Sequence, residues 1–226
     1  MLARKWTAPL LCVLAAGFAA AQDPGDIGPH RWTWKFHDGR SGEPPDDFAF
    51  AHRGAGGHGR WRVQSAKDAP SGSKVLAQQE ASGEMTLWRF AFPREQSFGD
   101  LTADVSLQFG TGGKTRACGL VVRYKDESNH YALELDDVRG RVALLAVKEG
   151  AVRVVASKTI EPGQGGWREL RLDVRRGSFE AILDNQSLFE CEDDTLGGYG
   201  QAGLFTRADT VALFDDLICD PLAPGE

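Results

Sequence analysis

Short runs in which apolar and polar residues alternate most constrain the fold of this chain. In Leu101–Phe109, every odd-numbered residue is apolar and every residue between them is polar. Successive side chains of a β-strand point to opposite faces of its sheet, so this period of two predicts a strand with one buried and one polar face. Arg168–Val174 has the same period, with Leu170 and Leu172 on its apolar face.

Similar runs recur along the chain, and short turn-forming segments such as Asp137–Gly140 and Asp184-Asn185 separate them, as in antiparallel hairpins. No segment after residue 30 has an apolar stripe of helical period. We therefore predict an all-β, antiparallel β-sandwich of the jelly-roll type, because a barrel or propeller lacks support from an internal repeat. The other predicted strands are Trp61–Gln64, Lys74–Gln78, Thr86–Phe92, Cys118–Tyr124, His130–Asp136, Arg141–Lys148, Val152–Lys158, Phe179–Leu183, Gln201–Thr206 and Val211–Ile218.

Composition agrees with a turn-rich globular domain. The chain has 226 residues, 42% of them hydrophobic, and 27 Gly and 10 Pro against 2 Met. Its formal net charge of -6 provides no global positive field for phosphate backbones or anionic lipid. Nucleic acid is therefore not an expected partner.

The amino terminus has the layout of a secretory signal peptide. Arg4 and Lys5 precede an apolar run, and Ala19 and Ala21 fit an A-x-A cleavage site before Gln22. The apolar run is shorter than the ~20 residues that span a bilayer, so membrane insertion is not expected. We predict a secreted or periplasmic protein.

The domain organisation predicted from these features has four parts. They are the signal peptide (1–21), a polar leader (22–30), the jelly-roll domain (31–220) and a tail (221–226). Three cysteines follow the signal peptide, Cys118, Cys191 and Cys219, and none lies in a C-x-x-C motif. At most one disulfide is expected, with no pairing indicated; the oligomeric state is not indicated either.

Three segments resemble concanavalin A-like lectin/glucanase jelly rolls. They are ACGLVVRYKDESNHYALELDD (117–137), GWRELRLDVRRGSFEAILDNQSLF (166–189) and GYGQAGLFTRADTVALFDDLIC (198–219). More narrowly, they are similar to the 3-keto-disaccharide hydrolase domain and its short secreted relatives, the family sixteen-like glycoside hydrolases. The resemblance implies a carbohydrate as ligand or substrate.

The catalytic patterns of those families are incomplete in this chain. Glu134 and Asp136 match the start of the E-x-D-x-x-E motif of laminarinase-type enzymes, but Arg139 occupies the place of its second Glu. In the keto-disaccharide pattern, Ala117-Cys118 stands where Asn-Ser is expected. Our first hypothesis is therefore a carbohydrate-binding module without turnover. The alternatives are a hydrolase or lyase of 3-keto-disaccharides and a non-catalytic domain that binds a protein.

Candidate catalytic residues come from one predicted strand. Its alternation places His130, Glu134 and Asp136 on one face. In a 3-keto sugar, the ketone at C3 makes the proton on C2 more acidic, and His130 with Glu134 is the best available pair of side chains to remove that proton. The ordinary pKa of an imidazole suits such proton transfer. The alternative is a solvated sheet face with charged residues.

Candidate carbohydrate-binding residues are Asp104, Gln108, Arg123 and Trp167. The first three lie on the polar sides of their strands and would form a groove with the His130 face if all lined one concave surface. Trp167 also lies on a polar side, where its ring offers a platform for a sugar. The alternatives are a cross-strand ion pair for Arg123 and core packing for Trp167.

Asp215 and Asp216 are candidate ligands for a structural calcium ion. Carboxylate oxygens suit that ion, and the resemblance implies such a site. The alternative is that both are solvated turn residues. No other cofactor is predicted.

Overall fold

Two antiparallel β-sheets pack face to face in the computed structural model, which describes residues 30–163 and 165–222. The predicted signal peptide and nearly all of the predicted leader lie outside the described residues. The strands are β1 Trp32–Trp34, β2 Phe48–Arg53, β3 Trp61–Ser65, β4 Lys74–Gln78, β5 Trp88–Pro93, β6 Leu101–Phe109, β7 Ala117–Asp126, β8 Asn129–Asp136, β9 Arg141–Lys148, β10 Ala151–Thr159, β11 Arg168–Arg175, β12 Ser178–Leu183, β13 Gln186–Glu192, β14 Gln201–Arg207 and β15 Ala212–Pro221.

The strand order confirms the predicted all-β, jelly-roll-like sandwich. One sheet has eight strands in the order β13-β12-β11-β6-β15-β4-β3, and β1 pairs with β15 beyond the point where β4 ends. The other has seven, in the order β10-β9-β8-β7-β14-β5-β2. No helix in the described part of the chain has the length and apolar character needed to cross a membrane.

Three of the observed strands were not predicted from the sequence, and each has a local reason. β1 has only three residues, β2 reads FAFAHR without alternating polar residues, and β13 is a largely exposed edge strand. At the other end, β15 reaches Pro221, and the backbone N–H of Leu222 donates to the carbonyl of Asp100 at 3.0 Å. The sandwich thus includes two residues assigned above to the tail.

The space between the sheets holds the main core, as the alternating patterns predict. The odd-numbered residues of β6 from Leu101 to Leu107 are fully buried there, opposite Tyr131 and Leu133 of β8. Full burial of each such leucine contributes about 1.5–3 kcal/mol. Cys118 and Cys219 also lie in this core, and all three cysteines are free.

Side chains from distant strands meet on the outer face of the seven-stranded sheet. These contacts show that the sheet is strongly curved. β5 and β8 are three strand spacings apart, which is about 14 Å on a flat sheet. Yet the ring centroids of Trp88 on β5 and His130 on β8 lie 5.6 Å apart. From β2 at one side of the sheet, the Arg53 guanidinium donates to the carbonyl of Gly150, in the β9–β10 turn at the other. We call the buried rings of this face the outer aromatic cluster: Trp88, Phe90, Phe92, Tyr124, His130 and Phe205.

A glycine makes room for this cluster. Phe92 on β5 and Tyr124 on β7 have ring centroids 4.3 Å apart although β14 lies between their strands. Gly203 is on β14, and a Cβ there would lie 2.3 Å from the carbonyl oxygen of Ala91 and 2.8 Å from Cδ1 of Phe92. Only a hydrogen fits at this position.

We expect Gly203→Ala to lower the free energy of unfolding by about 1–3 kcal/mol, because the added methyl group overpacks the site. Urea denaturation followed by tryptophan fluorescence measures this. Gly197→Ala is the control, since a Cβ there meets nothing within 4 Å. Equal stabilities of the two variants would contradict the role given to Gly203.

Candidate functional site

His130 lies inside the outer aromatic cluster and is fully buried. Its ring is 5.2 Å from that of Phe90 and 5.5 Å from that of Tyr124, centroid to centroid. Nδ1 lies 3.2 Å from the carbonyl oxygen of Asp126, whereas Nε2 is buried without a hydrogen-bond partner among the described residues. Burial lowers the pKa of His130 to about 4, with Arg53 adding to the effect. The imidazole is therefore neutral near pH 7, with no solvent access.

Glu134 is held between two arginines on the same outer face. Its side chain is fully buried; Oε2 accepts a hydrogen bond from Arg207 Nη1 at 2.8 Å, and Oε1 lies 3.4 Å from Arg141 Nη2. The Arg207 guanidinium also lies 5.0 Å from the ring centroid of Trp88. A buried carboxylate requires such partners, because an unpaired charge there is costly. Glu134 thus links β8 to β14 and β9.

Asp136 closes the turn that follows β8. Its carboxylate accepts hydrogen bonds from the Arg139 backbone N–H at 2.9 Å and from Arg139 Nη1 at 2.7 Å. The three candidate catalytic residues do share one face of β8, as predicted. However, four residues along a strand span about 13 Å, so His130 and Glu134 do not form a proton-transfer pair.

The candidate binding residues do not join the His130 face. The inner residues of β6 and β8 meet in the core, so Asp104 and Gln108 face outward from the eight-stranded sheet, on the opposite side of the molecule. The condition for a single groove, that all these polar faces line one surface, is therefore not met, because the two faces are on different sheets. Gln108 is half-buried on its outer face.

Arg123 lies in neither outer face. The register of β7 shifts between Val122 and Asp126, and Arg123 has a φ of 48°. This bulge turns its side chain toward the end of the sandwich, where the guanidinium donates to the carbonyls of Leu196 and Arg176. Simple alternation fails at a bulge because one extra residue changes the face of those beyond it.

The outer face of the eight-stranded sheet contains two adjoining cavities, of about 400 and 380 Å³. Both are bordered by Ser106 and Glu169, which are directly paired on β6 and β11. We call the combined depression the acidic groove; its principal residues are Asp104, Ser106, Trp167, Glu169, Asn185 and Asp216. Arg31 and Lys35 border one end.

Two carboxyl groups of the acidic groove influence each other. Glu169 is diagonal to Asp104 across the β6–β11 pair, a position in which side chains are within reach. Burial raises the pKa of Asp104, and the nearby Glu169 raises it further. Trp167 lies half-buried at the other end, and its indole Nε1 is buried without a hydrogen-bond partner among the described residues. The groove thus offers carboxylate oxygens, the hydroxyl of Ser106 and an aromatic ring.

The predicted calcium ligands have a different role. Asp215 is fully buried, and its Oδ2 accepts hydrogen bonds from the backbone N–H of Ser71 at 2.9 Å and from the Ser71 hydroxyl at 3.3 Å. Asp216 Oδ1 accepts from the same hydroxyl at 2.8 Å. Among the described residues, no three His, Cys, Asp or Glu side chains are grouped so as to hold a metal ion. The pair does not fit calcium; it fastens the loop containing Ser71 to β15.

Glu169 and Asn185 are groove residues that the sequence analysis missed. Glu169 alternates with Leu170 on a strand that was correctly predicted, so its outward direction was available from the sequence. Its position beside Asp104 was not, because it depends on the pairing of β11 with β6 across a long stretch of chain. Asn185 lies in a turn, where a polar residue is expected without any binding role.

Comparisons with known proteins agree on the fold. No protein-family model matches this sequence, and a search of curated proteins finds no match. The chain is similar in structure to the carbohydrate-binding module CBM66 from Bacillus subtilis, with a TM-score of 0.61 and 19% identity over 77% of this chain and 95% of that chain. It is also similar to a β-1,3-1,4-glucanase (lichenase) derived from a mouse hindgut metagenome, with a TM-score of 0.56 and 10% identity over 85% of this chain and 99% of that one. A Bacillus subtilis protein of unknown function with a galectin-like fold gives a TM-score of 0.51 and 12% identity, over 78% and 91% of the two chains.

At these identities the likeness shows the fold alone. The chain shares the two-sheet, jelly-roll-like β-sandwich fold of these proteins.

Stability should depend on pH through His130. With a folded pKa of about 4 and an unfolded one near 6.5, only the unfolded state binds the proton between these values. The free energy of unfolding should therefore be unaffected by this group above pH 6.5 and fall by about 3 kcal/mol as the pH drops to 4.

Denaturation curves between pH 4 and 7.5 test this, with His130→Asn expected to flatten the slope. The same substitution at the half-exposed His37 controls for the exchange itself. A wild-type slope in His130→Asn would show that other groups cause the pH dependence.

Proposed function

We propose that this chain is an exported carbohydrate-binding β-sandwich that holds a neutral glycan in the acidic groove without cleaving it. The observation that carries the proposal is the groove itself, in which carboxylates and a hydroxyl on one sheet face lie beside the amide of Asn185 and the half-buried ring of Trp167. Sugars present hydroxyl groups along their edges and C–H groups on their faces, and such a lining can hydrogen-bond the former and pack against the latter.

The charges of the groove favour a neutral ligand. Asp104, Glu169 and Asp216 would repel an anionic polysaccharide. Arg31 and Lys35 border one end of the groove, and Arg171, directly opposite Asp104, forms hydrogen bonds to the carboxylate of Asp173. The hydroxyl groups of a neutral sugar both donate and accept hydrogen bonds, so they can bind the carboxylates as well as the basic side chains.

Binding without turnover accords with the contacts of the candidate catalytic residues. Glu134 is paired with two arginines, Asp136 with Arg139, and His130 is enclosed by aromatic rings. The solved structure described as a carbohydrate-binding module supports binding as the first hypothesis, while the lichenase keeps catalysis as the alternative to be tested. Export rests on the predicted signal peptide.

The test uses the chain from Gln22 onward, titrated with neutral polysaccharides such as β-glucans, xylan and levan by calorimetry. We expect saturable binding that Trp167→Ala weakens about tenfold, which corresponds to about 1.4 kcal/mol. Trp167→Phe should keep part of the affinity, because it retains a ring.

Trp32→Ala, another half-buried tryptophan outside the groove, is the matched control. Unchanged binding in Trp167→Ala would contradict the groove as the site.

Product release from the same glycans or from 3-keto-disaccharides, lost in Glu134→Gln, would favour a hydrolase or lyase. No binding and no turnover would favour a protein-binding domain.

A further inference from the structure

A separate pocket lies at one end of the sandwich. Its volume is about 420 Å³, and it is lined by the residues before β6, the β11–β12 turn, the β13–β14 loop and Leu222. Arg123, one of the two candidate binding residues outside the acidic groove, also borders this pocket.

Tyr199 provides an aromatic surface in this pocket. Its side chain is 72% exposed, the largest exposure of any large hydrophobic residue in the described part of the chain. A methyl group at Gly99 would lie 3.3–3.5 Å from three atoms of the tyrosine ring, so one ring face rests on the Gly99 backbone. The other face is open to a ligand. Glycines 197 and 198, where a Cβ would meet nothing within 4 Å, leave space beside it.

Charged groups surround the ring. Asp194 is exposed and borders the pocket, as does Arg176. Asp100 is half-buried, and its Oδ1 accepts a hydrogen bond from the backbone N–H of Arg176 at 2.7 Å. The pocket thus offers acceptors and a guanidinium donor around one aromatic ring.

Arg123 makes this arrangement rigid. Its side chain is only 3% exposed, and its guanidinium contacts the carbonyls of Leu196 and Arg176 as well as Asp100. Its Nε is buried without a hydrogen-bond partner among the described residues. Three chain segments are therefore tied to one cation, so a ligand meets groups that are already positioned, which reduces the entropic cost of binding.

The end pocket is distinct from the acidic groove, although the same part of the chain, at the start of β6, contributes to both. Asp100 directly precedes β6 and borders the pocket, while Asp104 on β6 borders the groove. Four residues of extended chain separate them by about 13 Å. Among the described residues, none borders both the end pocket and the acidic groove.

We propose that this end pocket is a second carbohydrate site, which takes one neutral terminal sugar residue. The sugar packs on the free face of Tyr199, and its hydroxyls hydrogen-bond to Asp194 and Arg176. A single ring with charged groups around it suits one residue, in contrast to the elongated groove. The proposal rests on the carbohydrate-binding function proposed above and adds the class of ligand and its place.

The test titrates the chain from Gln22 onward with methyl glycosides of glucose, galactose, mannose and fructose, observed by NMR. We expect at least one to bind with millimolar affinity, and Tyr199→Ala to weaken it tenfold or more. Tyr199→Phe should bind as the wild type does, because it keeps the ring. Asp194→Asn should weaken binding by removing an acceptor. Because Tyr199 and Asp194 are exposed, we expect these variants to fold as the wild type does, and circular dichroism checks this.

The two sites are separated by crossed variants. Trp167→Ala should leave methyl glycoside binding intact, and Tyr199→Ala should leave polysaccharide binding in the groove intact. Loss of glycoside binding in Trp167→Ala but not in Tyr199→Ala would overturn the end pocket, as would failure of every glycoside to bind the wild type. Glycoside binding that depends on Tyr199, without any polysaccharide binding, would overturn the groove and leave the end pocket standing.

Discussion

The curvature of the seven-stranded sheet is the constraint on which the rest of the structure depends. Because its strands bend toward one another, rings from β5 reach His130 on β8, and Arg207 reaches Glu134. The face is filled by the protein's own side chains, including the fully buried carboxylate of Glu134, which is tolerable only because two arginines pair with it. Polar side chains that a ligand can reach lie instead on the β6–β11 pair of the opposite sheet.

The two proposed sites combine the features that a hydroxyl-rich ligand needs. The strands fix the spacing of carboxylates along the acidic groove, and the bulge at Arg123 fixes the loops of the end pocket. In both places polar side chains lie beside an aromatic ring, Trp167 in one and Tyr199 in the other. Strands position such groups more accurately than loops do. The sheet therefore positions the side chains of the acidic groove, whereas the buried Arg123 positions the loops of the end pocket.

Most of the fold could be predicted from local patterns, and most of the candidate site could not. The alternation in Leu101–Phe109 identifies β6 with its correct bounds, because period two is a property of consecutive residues. It does not say which sheet the strand joins, so the sequence left open whether Asp104 and His130 share one surface, and they face opposite ways. Arg123 was misplaced by a bulge, and the burial of His130 depends on curvature that brings Trp88 across three strands. These are properties of distant pairings, which no short pattern contains.

The position of β15 has a consequence for the way in which the chain acquires its structure. This last strand of the described chain lies in the middle of the eight-stranded sheet, with β6 on one side and β4 and β1 on the other. β4 and β6 therefore lack their common neighbour until the other strands of the described chain have been synthesised. Pairings between residues far apart in sequence form slowly, because the chain between them must first be brought together. We therefore expect the middle of the eight-stranded sheet to close among the last steps of folding.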